Sequence, residues 1–516
     1  MKNKWIDPSF KRRLQWGLPL GALCISVVAG CGGGTDASTQ TTPVVAAYTS
    51  GNIVVSRTVY AGTTSTVAIG QTLPGGGVAT AVANGSFPDV FKNEVPDPSF
   101  GVSSPVFLDQ RNANGALVST RTIDATLISS SFASKSELAL NVSTDKSAIT
   151  FMGYKGSVNQ LDESNSNTAA YFDSTNPVAA TVARAIAKVD LTTGSVAVTP
   201  VNAYSGNNGR AAILANGTYY MVGNAGNGSG DGNNLSALSD NTGVQSILAT
   251  ASGNTTPVGV VLGTFGSLTG YQRGFSLSQV PNPATPGTNY AVDKTGKDAN
   301  FRGMTIFNNT LYVSKGSGSN GVNTVYQVGA TGALANGGTL SNATFTILPG
   351  FNALSEKVAE AKATLTATPH PFGIWFADAN TVFVADEGDG VRLGVTGKVT
   401  TFAGLGQYKL TNGVWNLVAN YQMGLTDQAA YTAGLPWNVK ADGLRNISGK
   451  VSADGSYTIY GVTSTITDEL THDQGADPNQ LVSITIKSSS TPANTSFVVL
   501  QSALSGERLG GVTIVP

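Results

Sequence analysis

The strongest regularity along this chain is a repeated couplet. A short apolar stretch meets a tight polar turn, and a stretch rich in aromatic and β-branched residues follows. It occurs at 138–152 (LALNVSTDKSAITFM), 210–222 (RAAILANGTYYMV), 302–313 (RGMTIFNNTLYV), 372–384 (FGIWFADANTVFV) and 448–460 (SGKVSADGSYTIY). Alternation of this kind is the two-residue period of strands, and little beyond residue 46 has a helical period. The turn residues fall together: Asp145, Asn216, Asn308 with Asn309, Asp378 to Asn380, and Asp454 with Gly455. Tight hairpins call for positive φ, which Asn, Asp and Gly tolerate best.

A second hairpin accompanies the couplet at 185–201, around Thr193-Gly194, and at 407–421, around Asn412-Gly413. Two hairpins make a four-stranded antiparallel sheet, and a repeat of such sheets is the mark of a β-propeller. The spacing exceeds the ~40–50 residues of compact blades, so long loops must take up the excess. The closing run Gly510-Gly511-Val512-Thr513-Ile514-Val515 matches the first strand of a couplet and then stops. Stretches 52–59, 105–110 and 117–123 supply the three strands it lacks. The expected fold is therefore all-β, a six-bladed β-propeller. Its last blade joins one C-terminal strand to three N-terminal strands, which removes free edges at the closure. Seven blades are the alternative, with the extra blade drawn from 256–300, a segment that is short and lacks a matching double strand.

The chain opens with a different pattern. Lys2, Lys4, Lys11, Arg12 and Arg13 precede an apolar run that ends in Val28-Ala29-Gly30-Cys31, followed by glycines and a Ser/Thr-rich stretch. This resembles the bacterial lipobox, in which the cysteine thiol takes a diacylglycerol after cleavage. The resemblance implies a lipoprotein signal peptide at 1–30, a lipidated tether at 31–46 beginning at Cys31, and a single propeller domain at 47–516. Several acyl chains hold a protein on a membrane firmly where one does not. Gly32 follows Cys31, where an inner-membrane retention signal has Asp, so the expected location is the bacterial cell envelope as an outer-membrane lipoprotein.

Composition narrows the function. Charged residues make up 12% of the 516 residues, about half the usual ~25%. Five basic residues and one acid leave with the signal, taking the net charge from −1 to about −5. No basic field exists to hold nucleic acid. The 62 glycines follow no three-residue period, which excludes collagen. Cys24 leaves with the signal and Cys31 carries lipid, so the domain has no thiol pair for a disulfide and folds by burial and sheet hydrogen bonds alone. A monomer is expected.

Several longer stretches carry a family resemblance. FRGMTIFNNTLYVSKGSGSNGV, PFGIWFADANTVFVADEGDGV, QYKLTNGVWNLV and RLGGVTIVP, together with GNIVVSRTV and SSPVFLDQRNANGALVSTRTI, resemble a family of secreted six-bladed propellers of bacteria and plants. The resemblance implies the fold and no activity. The chain departs from that pattern by long inserts at 72–104 and 224–300.

No catalytic motif is present: no GxSxG, no HExxH, no Walker loop. His370, in Pro369-His370-Pro371, and His472, in an acidic loop, are the two imidazoles of the chain, and their spacing assigns them no catalytic role. Propeller geometry brings the loops before the innermost strands and after the second strands to one face. That face would collect Arg210 and Arg302 at equivalent positions, with His370, Arg445 and Arg508 slightly earlier in their blades. Lys315, Asn224 and Asp386 would come from the outgoing loops. Four arginines at one mouth suit a carboxylate, phosphate or sulfate held by forked hydrogen bonds. The competing expectation is that each pairs with a neighbouring carboxylate and ties adjacent blades. Two acidic loops, Asp386-Glu387-Gly388-Asp389-Gly390 and 227–234 (NGSGDGNN), offer oxygen ligands for calcium but lack EF-hand spacing, so no metal residue is assigned.

Three function classes remain open at this point. The first is a membrane-anchored binding or scaffold lipoprotein that recognises a glycan, peptide or protein partner. The second is a calcium-assisted hydrolase of the lactonase or phosphoesterase class. The third is a purely structural envelope protein with a plugged channel.

Overall fold

Hairpin turns set the register of the sheets. Asn216-Gly217 (φ 50° and 74°), Asn308-Asn309 (46° and 56°) and Asn412-Gly413 (52° and 78°) each close a two-residue hairpin with both central residues left-handed. That is the turn whose twist matches paired strands. The turn at Asp378 works differently. Its central residues keep negative φ, and the Asp378 carboxylate accepts the Asn380 N–H at 2.7 Å. In the turn of the 138–152 hairpin the left-handed residue is Lys146 rather than Asp145.

The structure, a computed structural model, describes residues 48–516 apart from 75–78, 95–99, 175, 177, 179, 227–239, 263–271, 292–296, 318–319, 357–367 and 394–401. The expected signal peptide at 1–30, Cys31, the expected tether at 31–46 and the 227–234 loop all lie outside the described residues.

Among the described residues six four-stranded antiparallel sheets form. Blade 1 orders Glu507–Ile514, Ile53–Val59, Val106–Arg111 and Leu117–Thr122 from the inside outwards. Blade 2 is Asn141–Val142, Ala148–Tyr154, Arg184–Asp190 and Val196–Val201. Blade 3 runs from Gly209–Ala215 through Thr218–Gly223 and Gly243–Leu248 to Thr256–Pro257. Met304–Phe307, Thr310–Lys315, Thr324–Val328 and Phe345–Ile347 build blade 4. Blade 5 comprises Pro371–Asp378, Thr381–Asp386, Gly404–Thr411 and Val414–Tyr421. Blade 6 comprises Val439–Val451, Tyr457–Thr467, Gln480–Ile486 and Val498–Ser502. The fold is a six-bladed propeller. The described residues of the 256–300 segment form the last strand of blade 3, a two-stranded pair (Val261–Leu262 with Gln272–Arg273) and a 3-10 turn, and the ring has six blades rather than seven.

Alternation explains why the blades stack into a ring. In Thr381–Asp386, Val382 and Val384 pack toward blade 4 while Phe383 and Ala385 pack toward blade 6. In Ile53–Val59, Val54 joins the core with blade 2 and Ile53 and Val55 join the core with blade 6. Each of the six junctions between neighbouring blades has its own apolar cluster. Both faces of an inner strand are thus buried, as in a sandwiched sheet.

Closure is the mixed blade. Glu507–Ile514 pairs antiparallel with Ile53–Val59, Ile514 opposite Ile53 and Glu507 opposite Val59. The Ser56 hydroxyl donates to the Leu138 carbonyl of the next blade at 2.7 Å and accepts the Gly511 N–H at 2.8 Å. The approach is close: a Cβ at Gly511 would stand 2.6 Å from the Leu138 oxygen. The glycine pair in RLGGVTIVP is there because the neighbouring backbone leaves no room for a side chain. Asn446 of blade 6 accepts the Val512 N–H at 2.6 Å on the other side.

The innermost strands surround a channel. Its lower end is a cavity of about 600 Å³ lined by innermost-strand residues of all six blades, Ile213, Ile306, Ile374, Ile447 and Ile514 among them. The insert between the second and third strands of blade 1 packs its own small core, Val67, Val90, Phe91 and Phe100, against Phe132.

Candidate functional site

The chemistry gathers at the other end of the channel. Loops leading into the innermost strands and loops leaving the second strands meet there around a cavity of about 340 Å³. Blade 2 contributes Ser134, Lys135 and Ser136 on the way in and Ser164 and Asn165 on the way out. Blade 3 contributes Asn207, Asn208, Arg210 and Asn224, blade 4 Asn300 and Arg302, and blade 6 Asp473.

Arg210 and Arg302 converge. Arg210 Nε and Arg302 Nη1 each donate to Ser136 Oγ, both at 3.0 Å. Arg210 Nη1 also donates to the Phe301 carbonyl at 2.8 Å and to the Asn300 side-chain oxygen. Arg302 Nη2 donates to the Ser317 hydroxyl, and its Nε, buried, has no partner. The register that puts both residues at the same position of successive blades therefore puts both guanidinium groups on one wall.

The remaining cations lie in their field. Arg445 donates from Nε to Glu387 Oε2 at 3.1 Å. Burial alone would raise the Glu387 carboxyl, but Arg445 and then Arg302 hold it below the usual range. Arg508 is 1% exposed, and its Nε and Nη2 have no hydrogen-bond partner. Burial first and Arg445 next push Arg508 down to about 10, against the pull of Glu137 and Asp473. Burial and the Arg302 charge push Arg210 down in the same way. Arg302 is lowered by burial, with Arg445 adding to it and Glu387 opposing. A guanidinium at about 10 still carries its charge at neutral pH. Of these four arginines, Arg445 alone has a carboxylate in contact among the described residues. Neither expectation holds for all four: Arg445 ties blades through an ion pair, Arg210 through neutral partners, and Arg302 and Arg508 keep unspent donors.

Of the expected residues, Arg210, Arg302 and Asn224 line the cavity; Arg445 and Arg508 do not, and Lys315, Asp386 and His370 stand elsewhere. Lys315 is wholly buried and donates to the Ser317 carbonyl at 3.0 Å and to Asn323 Oδ1 at 2.9 Å, so it supports the loop beneath Arg302 and does not line the cavity. Asp386 lines a separate cleft of about 350 Å³ between blades 4 and 5, beside Phe351 and Tyr408. Its carboxylate accepts the N–H groups of His370 (2.6 Å) and Gly388 (2.9 Å), and burial pushes it up to about 6 against the His370 charge. His370 thus orders the Asp386 loop through its backbone, and its Nδ1 is buried without a partner.

The acidic loop around Asp386 does not gather its oxygens. Asp386 takes backbone N–H groups, Glu387 takes Arg445, and Asp389 takes the Val391 N–H at 2.9 Å. No three metal-ligating side chains come together among the described residues. His472 is 0% exposed, bonded to Asp477 at 2.8 Å, with Trp437 Nε1 on the same carboxylate oxygen at 3.0 Å. Sealed from solvent, it braces a loop.

Sequence reasoning missed the acceptors. Ser136, Asn300 and Glu137 carry no motif, although a serine-rich run (SSSFASKS, 129–136) marks the segment. Glu137 is buried beneath the mouth, accepting Asn208 Nδ2 at 2.6 Å and the Ser131 N–H at 3.0 Å. Arg184 was likewise unmarked. It is fully buried and donates to the carbonyls of Ser164 (2.7 Å), Val182 (2.9 Å) and Asn207 (2.8 Å), which fixes two of the cavity's loops.

No protein-family model matches the sequence, and no curated protein does. Among solved structures, the N-terminal domain of Nup159 is 7% identical, with a TM-score of 0.29 over 90% of this chain and 96% of that one. A phage phi92 endosialidase is 10% identical, with a TM-score of 0.27 over 77% of this chain and 53% of that one. An apocarotenoid oxygenase of Synechocystis is 8% identical, with a TM-score of 0.21 over 78% and 57%. This chain spans little more than half the length of the last two. Likenesses at this level carry no functional assignment.

Proposed function

We propose that this chain is a binding propeller, held on the bacterial envelope by lipid at Cys31, and that it captures a partner through an anionic group seated at the arginine-lined mouth. The observation that carries the reading is the convergence of Arg210 and Arg302 on Ser136 at the cavity wall, with no carboxylate in contact with either guanidinium among the described residues. Buried cations without carboxylate partners cost stability, and an anion supplied from outside offsets that cost. A glycan, peptide or protein bearing carboxylate, phosphate or sulfate meets the requirement.

The chain joins the ring where the Gly51 N–H bonds the Val515 carbonyl, beside the lower cavity that Pro516 lines. The kinship with secreted propellers of bacteria and plants rests on the sequence stretches that resemble them.

Calorimetric titration of the purified protein with sulfate tests the reading. Binding that weakens as sodium chloride is raised, and that Arg302→Ala removes, supports it. No heat of binding at low ionic strength would refute it. Separately, Cys31→Ser should abolish labelling by radioactive palmitate in cells, and labelling that persists would refute the anchor.

A further inference from the structure

We infer that the ligand of the mouth is a sugar acid, an anion carried on a hydroxylated skeleton. This rests on the reading of the mouth as an anion site and names what else that site recognises.

A site built for a bare oxyanion surrounds it with charge and backbone N–H groups. Here the lining beside the guanidinium groups is rich in asparagine amides and serine hydroxyls, with Lys135, Glu94 and Asp473 as its other charged side chains. Asn224 is 3% exposed; its Oδ1 accepts the Thr242 hydroxyl at 3.4 Å, while its Nδ2 donates to nothing among the described residues. Asn300 has the same arrangement, its oxygen accepting Arg210 Nη1. Asn207 holds its oxygen on the Asn208 N–H at 2.9 Å. All three line the cavity, and each has its oxygen spent within the protein and its NH₂ unspent. Asp473, whose Oδ1 accepts the Gly475 N–H at 2.7 Å, lines the cavity too and offers its second oxygen as an acceptor.

Hydroxyl groups both donate and accept, so a sugar ring satisfies amide donors and a carboxylate acceptor together. The carboxylate of the same ligand pairs with the Arg302 guanidinium, which lines the cavity. The cavity, at about 340 Å³, falls within the range of small-molecule sites and exceeds what a single phosphate fills. A phosphate would leave the three amides facing nothing. Sites that hydrogen-bond hydroxyl groups discriminate strongly against ligands that lack them.

The test is calorimetry at low ionic strength with galacturonate, glucuronate, galactose and inorganic phosphate, on the wild-type protein, Arg302→Ala and Asn224→Ala. At least one uronate should bind about ten-fold or more tightly than phosphate and than galactose. Arg302→Ala should abolish uronate binding. Asn224→Ala should weaken it about ten-fold and leave phosphate binding unchanged. Asn207→Ala takes its place if Asn224→Ala melts early. Phosphate binding as tightly as both uronates, or an amide variant that changes neither, overturns the sugar-acid assignment and leaves the anion site standing. Absence of binding by every anion overturns both.

Discussion

Arg210 and Arg302 belong to successive blades yet donate to one acceptor, Ser136 Oγ, each at 3.0 Å. Two like charges held on one hydroxyl repel, and the pairing persists because three separate elements fix its geometry. Ser136→Ala should leave both donors short of an acceptor and destabilise the fold by about 1–3 kcal/mol, read by urea denaturation. It should also loosen the rim and weaken sulfate binding. An unchanged denaturation midpoint would show that the serine is incidental.

Arg508 should behave in the opposite way. An arginine that ties blades costs about 3–5 kcal/mol when its charge partner is lost, whereas a buried cation with unspent donors is replaced by an apolar side chain at little cost or some gain. Arg508→Met should therefore melt at or above the wild-type temperature while binding sulfate less tightly. A large fall in melting temperature would make Arg508 a structural tie.

Stability should depend on pH through Asp442. Burial, together with the charges of Asp389, Glu387 and Asp386, pushes its carboxyl up to about 7, although Gly390 N–H donates to it at 2.9 Å. A carboxyl raised in the folded state favours folding while protonated. Its contribution is full below about pH 4, the unfolded value, and is lost as pH rises through about 7. Asp442→Asn keeps the Gly390 acceptor and removes the titration. The variant should lose less stability than wild type between pH 4 and pH 7, measured by denaturation at both. Parallel pH profiles would contradict this.

Ring closure should be sensitive to one methyl group. Gly511→Ala places a Cβ 2.6 Å from the Leu138 carbonyl, and overpacking of this kind costs about 1–3 kcal/mol. An unchanged melting temperature would mean that the junction of blades 1 and 2 is looser than described.

What the sequence revealed follows from what repeats. Couplets with Asn-Gly and Asn-Asn turns place the inner hairpins of blades 3 and 4, and the terminal RLGGVTIVP finds its place because it is half of a repeated unit. Equivalence between blades also brought Arg210 and Arg302 to one wall. Their partners do not repeat. Ser136 and Asn300 sit in loops of unequal length, where no period constrains position, and Arg184 works through backbone carbonyls that leave no mark in a sequence. Asp386 misled for a related reason: its strand end turns toward the cleft between blades, a choice made by the His370 and Gly388 N–H groups.

The most direct measurement is the anomalous signal of selenate diffused into crystals of the protein. A peak within hydrogen-bond distance of Arg302 in the upper mouth, lost in Arg302→Ala crystals, is the predicted result. Selenate found only on the outer surface of the blades, with the mouth empty, would contradict the anion site.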